Sequence, residues 1–167
     1  AHKLTLNGEE IIDLIIPDGV TCINRSAFIN CTNIKSVTIP KSVNRIEGHA
    51  FNGCTNLTDV NISDLSAWCN TYCESYYSNY ILSHPLFSNP NAKLKLNGEE
   101  IVDLVIPNDV TSINIGAFSC ISSLKSVVIS DSVTKVADYA FGNCSNLSEL
   151  TIGSSVTSLD IDCFNGC

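Results

Sequence analysis

The chain has 167 residues, of which 44% are hydrophobic and 16% are charged, and its formal net charge is −8. This composition supports an ordered domain with a substantial core. Phosphate contacts need clustered Lys and Arg, so the acidic balance argues against a nucleic-acid partner and against an anionic membrane surface. No apolar run approaches the roughly 20 residues of a transmembrane helix, so we expect no membrane insertion.

The first predicted element is a hairpin. Asn7-Gly8 lies between apolar residues, and the stretch from Leu6 to Ile11 recurs unchanged from Leu96 to Ile101. Asn-Gly favours a two-residue hairpin turn because both central residues must adopt a positive φ. We therefore expect residues 4–6 to fold back onto residues 11–14 as an antiparallel ribbon. The same reasoning pairs residues 94–96 with residues 101–104.

After the first hairpin along the chain, a pattern of 23 residues begins and then repeats. Its clearest marker is a phenylalanine, at Phe28, Phe51, Phe118, Phe141 and Phe164. A fixed period in the twenties is typical of a solenoid, in which each coil packs its apolar face only against its neighbours. Such an architecture also makes an enzyme less expected.

Each coil carries two short apolar segments and a turn. In the first segment, residues such as Val37 and Ile39 lie two apart, which is the period of a strand's inward face, and Pro40 ends the strand. The second segment, such as Val43 with Ile46, predicts an extended stretch on the opposite wall. Ala-Phe then begins a tight turn with the Phe inside. The sequence predicts a β-rich solenoid, a right-handed stack of short parallel strands with turn or 3-10 elements.

These markers divide a single domain, residues 1–167, into six units. The predicted boundaries are 11–33, 34–56, 57–100 with an insertion at about 64–92, 101–123, 124–146 and 147–167, the last of them truncated. Because the chain has no Met and stops within a repeat, we expect it to be a piece of a longer array.

The insertion opens with a helix signal. Ser63 or Asp64 can cap a helix, and Trp68 and Cys69 would lie together on one of its faces. The following stretch, residues 76–90, is rich in tyrosine, serine and proline and predicts a loop. The insertion is thus expected to contain one short helix.

The strings from Ile39 to Phe51 and from Cys54 to Ile62 resemble the treponemal-type, BspA-like leucine-rich repeat, and the resemblance covers nearly the whole chain. The stretch from Ile62 to Asn70 is similar to an insertion common in such arrays from gut bacteria. The resemblance implies a leucine-rich-repeat solenoid in a secreted or surface-anchored protein that binds host proteins or other cells. Two departures stand out, since Ile121 replaces the repeat's cysteine and Cys120 lies one place early.

Nine cysteines raise the alternatives of disulfides, a metal site and buried thiols. One repeat position holds four of them, Cys31, Cys54, Cys144 and Cys167. Stacked neighbours have parallel Cβ directions, which suits an interior ladder of small apolar side chains better than bridges. Whether Cys69 pairs with Cys73 stays open. The chain has no Cys-x-x-Cys pair and its histidines are scattered, so we expect neither a zinc site nor a cofactor.

The outward positions of the first strand form the candidate binding face. The predicted partner-binding residues are Asp13, Lys35, Ser36, Thr58, Asp59, Asn61, Asp103, Lys125, Ser126 and Glu149. Neighbouring strands about 4.8 Å apart would align the acidic ones in a column that could meet a basic partner. Calcium is much less favoured because serines interrupt the column. The alternative is a solvated sheet face whose alternating charges only limit repulsion.

The aromatic residues of the insertion offer a second candidate. Tyr76, Tyr77 and Tyr80 are candidate sugar-stacking residues, because aromatic rings with a polar tip are favoured in recognition surfaces. Trp68 and Phe87 are instead expected to form a small satellite core that anchors the insertion to the solenoid.

Catalysis has no support in the sequence, which lacks a Gly-x-Ser-x-Gly elbow, a phosphate-binding glycine loop and a His placed beside a nucleophile. We expect a non-enzymatic recognition or adhesion module of a larger bacterial surface protein, extracellular or at the cell surface. Its expected partner is a host matrix or cell-surface protein bound by the strand face. The alternatives are a carbohydrate-binding module that uses the insertion aromatics and a structural spacer without a ligand.

Overall fold

A coil of this length cannot bury its apolar side chains by itself, so successive coils stack and share one core. The computed structural model describes residues 3–76, 81–82, 85–86, 89 and 91–167. Within them the chain is a β-solenoid of about six turns, with mostly parallel strands and almost no helix. The predicted solenoid is confirmed. Its connections are turns, and no described residue lies in a 3-10 helix.

The first apolar segment of each coil forms what we call the first wall. Its strands are β3 Asp13–Ile15, β5 Ser36–Ile39, β7 Asp59–Ile62, β11 Lys93–Leu96, β13 Asp103–Val105, β15 Ser126–Val128 and β17 Glu149–Thr151. β3, β5, β7 and β11 pair in parallel in one sheet, and β13, β15 and β17 pair in parallel in another. Because side chains alternate along a strand, Val37, Val60 and Val127 point inward and are buried.

The second apolar segment forms the second wall of the same core. Its strands are β4 Cys22–Ile23, β6 Arg45–Ile46, β8 Tyr72–Cys73, β14 Ser112–Ile113, β16 Lys135–Val136 and β18 Ser158–Leu159. β4, β6 and β8 pair in parallel, and so do β14, β16 and β18. No strand pairing joins β8 to β14 in the described part of the chain.

The Phe rings stack inside the turns, as predicted. Phe28 lies on Phe51 with ring centroids 5.3 Å apart. Phe118, Phe141 and Phe164 form a second stack, with centroids 5.4 and 5.3 Å apart. The planes of the last pair differ by only 4°, because equivalent residues of identical coils repeat in the same orientation.

The cysteine ladder runs beside the Phe column. The thiols of Cys54, Cys144 and Cys167 donate to the carbonyl oxygens of Phe28, Phe118 and Phe141, one coil earlier, at 3.0, 3.1 and 3.1 Å. Cys31, Cys54 and Cys144 are buried as predicted, whereas Cys167, in the last coil, is exposed. All nine cysteines are free thiols, so Cys69 and Cys73 form no disulfide.

The turn around Ala-Phe has two backbone positions in the left-handed region. The first precedes Ala-Phe, at Ser26, His49, Gly116, Tyr139 and Asp162, and the second lies four residues later, at Asn30, Gly53, Cys120, Asn143 and Gly166. Their φ angles lie between 54° and 79°. Gly and Asn tolerate this region best. The displaced Cys120 thus occupies a turn position that Asn or Gly holds in the other coils.

Both Asn-Gly hairpins form, with φ of 53° and 87° at Asn7-Gly8 and of 52° and 89° at Asn97-Gly98. The predicted ribbons are confirmed only at their outer ends. β1 Thr5–Leu6 pairs with β2 Glu9–Glu10, and β11 pairs with β12 Glu99–Glu100. The backbone N–H groups of Ile11 and Ile101 then donate to the carbonyl oxygens of Leu4 and Leu94 at 2.9 and 3.0 Å. A two-residue turn fixes this close register. The rest of each predicted partner segment joins the parallel coils instead, where Leu14 lies opposite Val37 and Leu104 opposite Val127.

β11 is also a full member of the first wall. It pairs in parallel with β7, which places Leu94 opposite Val60 and Leu96 opposite Ile62. Leu94 is completely buried. From the sequence this segment was predicted only as a hairpin arm, although its Lys-Leu-Lys-Leu alternation has the period of a half-buried strand.

The insertion begins with helix α1 Leu65–Cys69, as predicted, and Asp64 is its N-cap. The carboxylate of Asp64 accepts from the backbone N–H of Ala67 at 2.8 Å. Trp68 is buried and its indole donates to the carbonyl oxygen of Ala117 at 2.8 Å. The hydroxyl of Ser66, also on α1, donates to the carboxylate of Asp109 at 2.8 Å, so two side-chain bonds join this helix to residues 109–117.

The expected satellite core of Trp68 and Phe87 is wrong for Trp68. Trp68 joins the main core cluster rather than a separate satellite core, and Phe87 lies outside the described residues. Within the predicted loop, β9 Ser75–Tyr76 pairs antiparallel with β10 Ile81–Leu82. Short strands of this kind escape sequence analysis because two paired residues carry too little periodicity.

We expect Cys120→Asn to stabilise the protein. The left-handed backbone conformation costs a residue with a Cβ about 1–2 kcal/mol of stability, and Asn recovers part of this cost through its local hydrogen bonding. A gain of about 1 kcal/mol would raise the melting temperature by about 2–4 °C, measured by circular dichroism. Ser122→Asn, at an exposed neighbouring position, is the control and should leave it unchanged. A lower melting temperature for Cys120→Asn would contradict the assignment.

Candidate functional site

The predicted binding residues of the first wall lie in register on its outer side. Asp13 lies opposite Ser36 and Ser36 opposite Asp59. In the second sheet, Asp103, Ser126 and Glu149 are aligned in the same way. The repeat therefore places all four acidic candidates in columns, although in two sheets rather than one.

Within each column, a serine is bonded to the acid of the preceding coil. The hydroxyl of Ser36 donates to Oδ1 of Asp13, and that of Ser126 donates to Oδ1 of Asp103, both at 2.6 Å. A hydroxyl between two carboxylates separates like charges and satisfies part of one of them. The serines are therefore built into the column.

Asp59 has a different environment because β11 lies next to it. The ammonium of Lys95 forms an ion pair with Oδ1 of Asp59, and the hydroxyl of Thr58 donates to Oδ2 at 2.8 Å. Partial burial opposes ionisation of Asp59, but these two hydrogen bonds outweigh it and lower its pKa below the ordinary value. Lys93 lies directly opposite Asp59 and pairs with Glu100 at 2.6 Å. The acidic column of the first sheet therefore ends in lysines.

The remaining candidates flank these columns. Lys35 and Lys125 are exposed and stand one residue before β5 and β15, and Thr58 is exposed one residue before β7. Asn61 is half-buried and lies opposite Lys95. The structure thus places all ten predicted residues on or beside the first wall.

The outer side of the first wall also carries apolar side chains that the sequence analysis did not select. Ile15, Val105 and Val128 are 70%, 62% and 39% exposed. Val105 lies opposite Val128 on neighbouring strands, two residues from Asp103 and Ser126. The available signal was a β-branched residue at an outward position, where the period-two pattern of a solvated face calls for a polar one.

The aromatic candidates are mostly beyond the structure. Tyr77 and Tyr80 lie outside the described residues, and of Tyr76 only the backbone position in β9 is described. Tyr72, which precedes them, is on the second wall and is 37% exposed. The guanidinium of Arg45 lies 5.3 Å from the centre of its ring.

The buried cysteines are poor nucleophiles. Burial raises the pKa of Cys54 to about 11 and the pKa of Cys69, Cys73 and Cys144 to about 12. The reactive form of a cysteine is its thiolate, which these groups hardly populate at neutral pH. Among the described residues, no group of three or more His, Cys, Asp or Glu side chains could hold a metal ion. Nor does that part of the chain contain a helix long and apolar enough to cross a membrane.

The repeat itself decides the family. Residues 5–94 and 95–167 match the BspA type Leucine rich repeat region, in six copies. The chain is a BspA-type leucine-rich repeat protein. Leucine-rich repeats of this family are generally non-catalytic. No protein of curated function matches the sequence of this BspA-type chain.

Solved structures of similar fold come from several bacteria. A leucine rich cell surface protein from Faecalibacterium prausnitzii is 26% identical, with a TM-score of 0.53 over 95% of this chain and 46% of its own. A leucine-rich repeat protein from Bacteroides ovatus shares the fold at 22% identity, with a TM-score of 0.56 over 93% and 37%. The Treponema pallidum leucine-rich repeat protein is 26% identical over 93% and 76%, with a TM-score of 0.49. The present chain spans less than half of the first two.

We expect a thiol reagent to distinguish the exposed cysteine from the buried ones. With Ellman's reagent at pH 8, Cys167 should react quickly, whereas Cys54, Cys69, Cys73 and Cys144 should react only after unfolding in guanidinium. Their raised pKa values mean that the folded chain holds fewer thiolates at this pH than the unfolded chain does. Absorbance at the thionitrobenzoate band measures the rate. Cys167→Ser should remove the fastest phase, and the half-buried Cys22 and Cys120 should react at intermediate rates. Rapid labelling of several thiols in the folded protein would contradict the buried ladder.

Proposed function

We propose that this protein is a non-enzymatic recognition module at a bacterial surface and that it binds a protein partner through the first wall. The observation that carries this proposal is the pair Val105 and Val128, exposed side by side and bordered by Asp103 and Glu149. A surface location is supported by the cell-surface relative from Faecalibacterium prausnitzii.

Apolar exposure on this wall is unusual for a sheet that only faces water. Scattered apolar side chains are normal on protein surfaces, but contiguous ones often mark contact sites. Val105 and Val128 lie opposite one another in paired strands, so they form one continuous strip. Because both are β-branched and stiff, they lose little side-chain entropy when a partner covers them.

The charges around the strip indicate the chemistry of the partner. Asp103 and Glu149 are exposed, and Lys125 lies beside them, in a chain whose net charge is −8. A complementary partner would present an apolar centre flanked by Lys or Arg. Its association rate should fall as salt screens the attraction.

The second sheet suits this role better than the first. In the first sheet Asp59 is neutralised by Lys95, and Lys93 adds a further positive charge beside it. In the second sheet Asp103 accepts only the Ser126 hydroxyl bond that the structure describes, which leaves its second oxygen for a partner. We place the centre of the binding surface on β13, β15 and β17.

The double variant Val105→Glu/Val128→Glu tests the proposal. Wild type should bind saturably to at least one of immobilised fibronectin, laminin, collagen or intact host cells in a biolayer or plate assay. The double variant should bind at least about tenfold more weakly, because two buried-interface contacts become unpaired charges. The matched control is Ser122→Glu/Ser145→Glu, which adds the same charges at exposed turn positions of adjacent coils. A spacer without a ligand predicts no saturable binding by wild type, and that result would defeat the proposal.

Carbohydrate binding through Tyr76, Tyr77 and Tyr80 is the alternative hypothesis from the sequence. It predicts glycan-array binding that disappears in Tyr77→Ala, with the valine double variant unaffected. An array on which wild type binds nothing would remove this alternative.

A further inference from the structure

The second wall contains a groove where its two sheets fail to join. β8 ends one sheet and β14 begins the next. Asn114 spans the gap, since its backbone N–H donates to the carbonyl oxygen of Cys69 at 2.9 Å and its side-chain amide donates to that of Asn70 at 2.7 Å. Beyond this bridge the wall is open, and the groove has a volume of about 370 Å³.

One side of the groove is aromatic. Tyr72 on β8 lines it, and Ile115, which follows β14, adds an aliphatic side chain to the lining. The guanidinium of Arg45, 5.3 Å from the ring centre, belongs to β6, which is the neighbour of β8 on the side away from the groove. The cation therefore lies on the side of Tyr72 away from the groove, and Tyr72 is 37% exposed.

The other side is polar and offers both donors and acceptors. Lys135 and Asp160 form an ion pair at 2.8 Å, and Asp160 also accepts from the hydroxyl of Ser158 at 2.8 Å. The carboxylate of Asp138 accepts no hydrogen bond from the residues that the structure describes. The hydroxyl of Ser112 likewise has no described partner, and both residues line the groove.

We propose that this groove binds a neutral saccharide unit. A sugar ring presents an apolar C–H face, which would stack on Tyr72, and a rim of hydroxyls that can both donate to Asp138 and Asp160 and accept from Lys135. The volume lies at the small end of ligand pockets, so it suits a monosaccharide or a disaccharide.

The charges of the groove disfavour the other ligand classes. An anion would be repelled by Asp138 and Asp160, which outnumber Lys135. A cation could pair with these carboxylates, but Arg45 already draws on the π-electrons of Tyr72 from its opposite side and would repel a second positive charge. A neutral polyol meets neither penalty.

This inference does not rest on the proposed function. The groove is on the second wall and uses none of the residues assigned to the protein-binding surface. It also differs from the sequence-based sugar hypothesis, which names Tyr76, Tyr77 and Tyr80.

The test is titration of the isotope-labelled chain with methyl β-galactoside, methyl α-mannoside, N-acetylglucosamine, lactose and cellobiose, followed by ¹H–¹⁵N correlation spectra. At least one of them should give saturable shifts that map to β8, β14 and β16. Tyr72→Ala should weaken that binding at least about tenfold, as expected for loss of a stacking contact. Asp138→Asn should weaken it as well, and this change breaks no described hydrogen bond.

Glu149→Gln, on the first wall, should leave sugar binding unchanged, and the unfolding temperature of each variant checks its fold. The proposal is overturned if no sugar produces saturable shifts at tens of millimolar, or if the shifts map away from the groove. It is also overturned if N-acetyl-arginine amide, added as a cationic probe, binds there and the sugars do not.

Discussion

Stacking of one coil on the next is the interaction on which the rest of this structure depends. A coil satisfies its strand hydrogen bonds and encloses its Phe ring only through its neighbours, and the thiol of Cys54 or Cys144 satisfies the Phe carbonyl oxygen of the coil before it. The Phe rings and thiols that make these contacts point inward. This leaves the outward positions free to vary, and both proposed binding regions consist of such positions or of breaks in the stack.

The sequence predicted most of the fold because a repeated pattern is read several times over. Val37 and Ile39 alone could belong to many structures, but their equivalents in every coil leave only a solenoid. The hairpin arms were predicted to extend too far into the coils for the opposite reason. Residues 101–104 satisfy two patterns at once, a hairpin arm and an inward-facing coil strand, and only the burial of Leu104 against the parallel sheet decides between them.

The candidate site was predictable in part. Period-two alternation was enough to align Asp13 with Ser36 and Asp103 with Ser126, since register follows from a constant coil length. It could not show that Lys95 would neutralise Asp59. β11 follows the insertion, so its position in the wall cannot be predicted from the 23-residue spacing. The groove at Tyr72 was equally hidden, since it arises from a strand pairing that is missing between segments distant in the chain.

The seam between β8 and β14 also has a mechanical meaning. Elsewhere along the second wall neighbouring coils are joined by strand pairing, but here the described links are the two bonds of Asn114, the Trp68 indole to Ala117 and the Ser66 hydroxyl to Asp109. A pull along the long axis would concentrate its load on these few links. The second wall should therefore open first at this seam, while the apolar core and the parallel ladder of β7 and β11 still join the two parts.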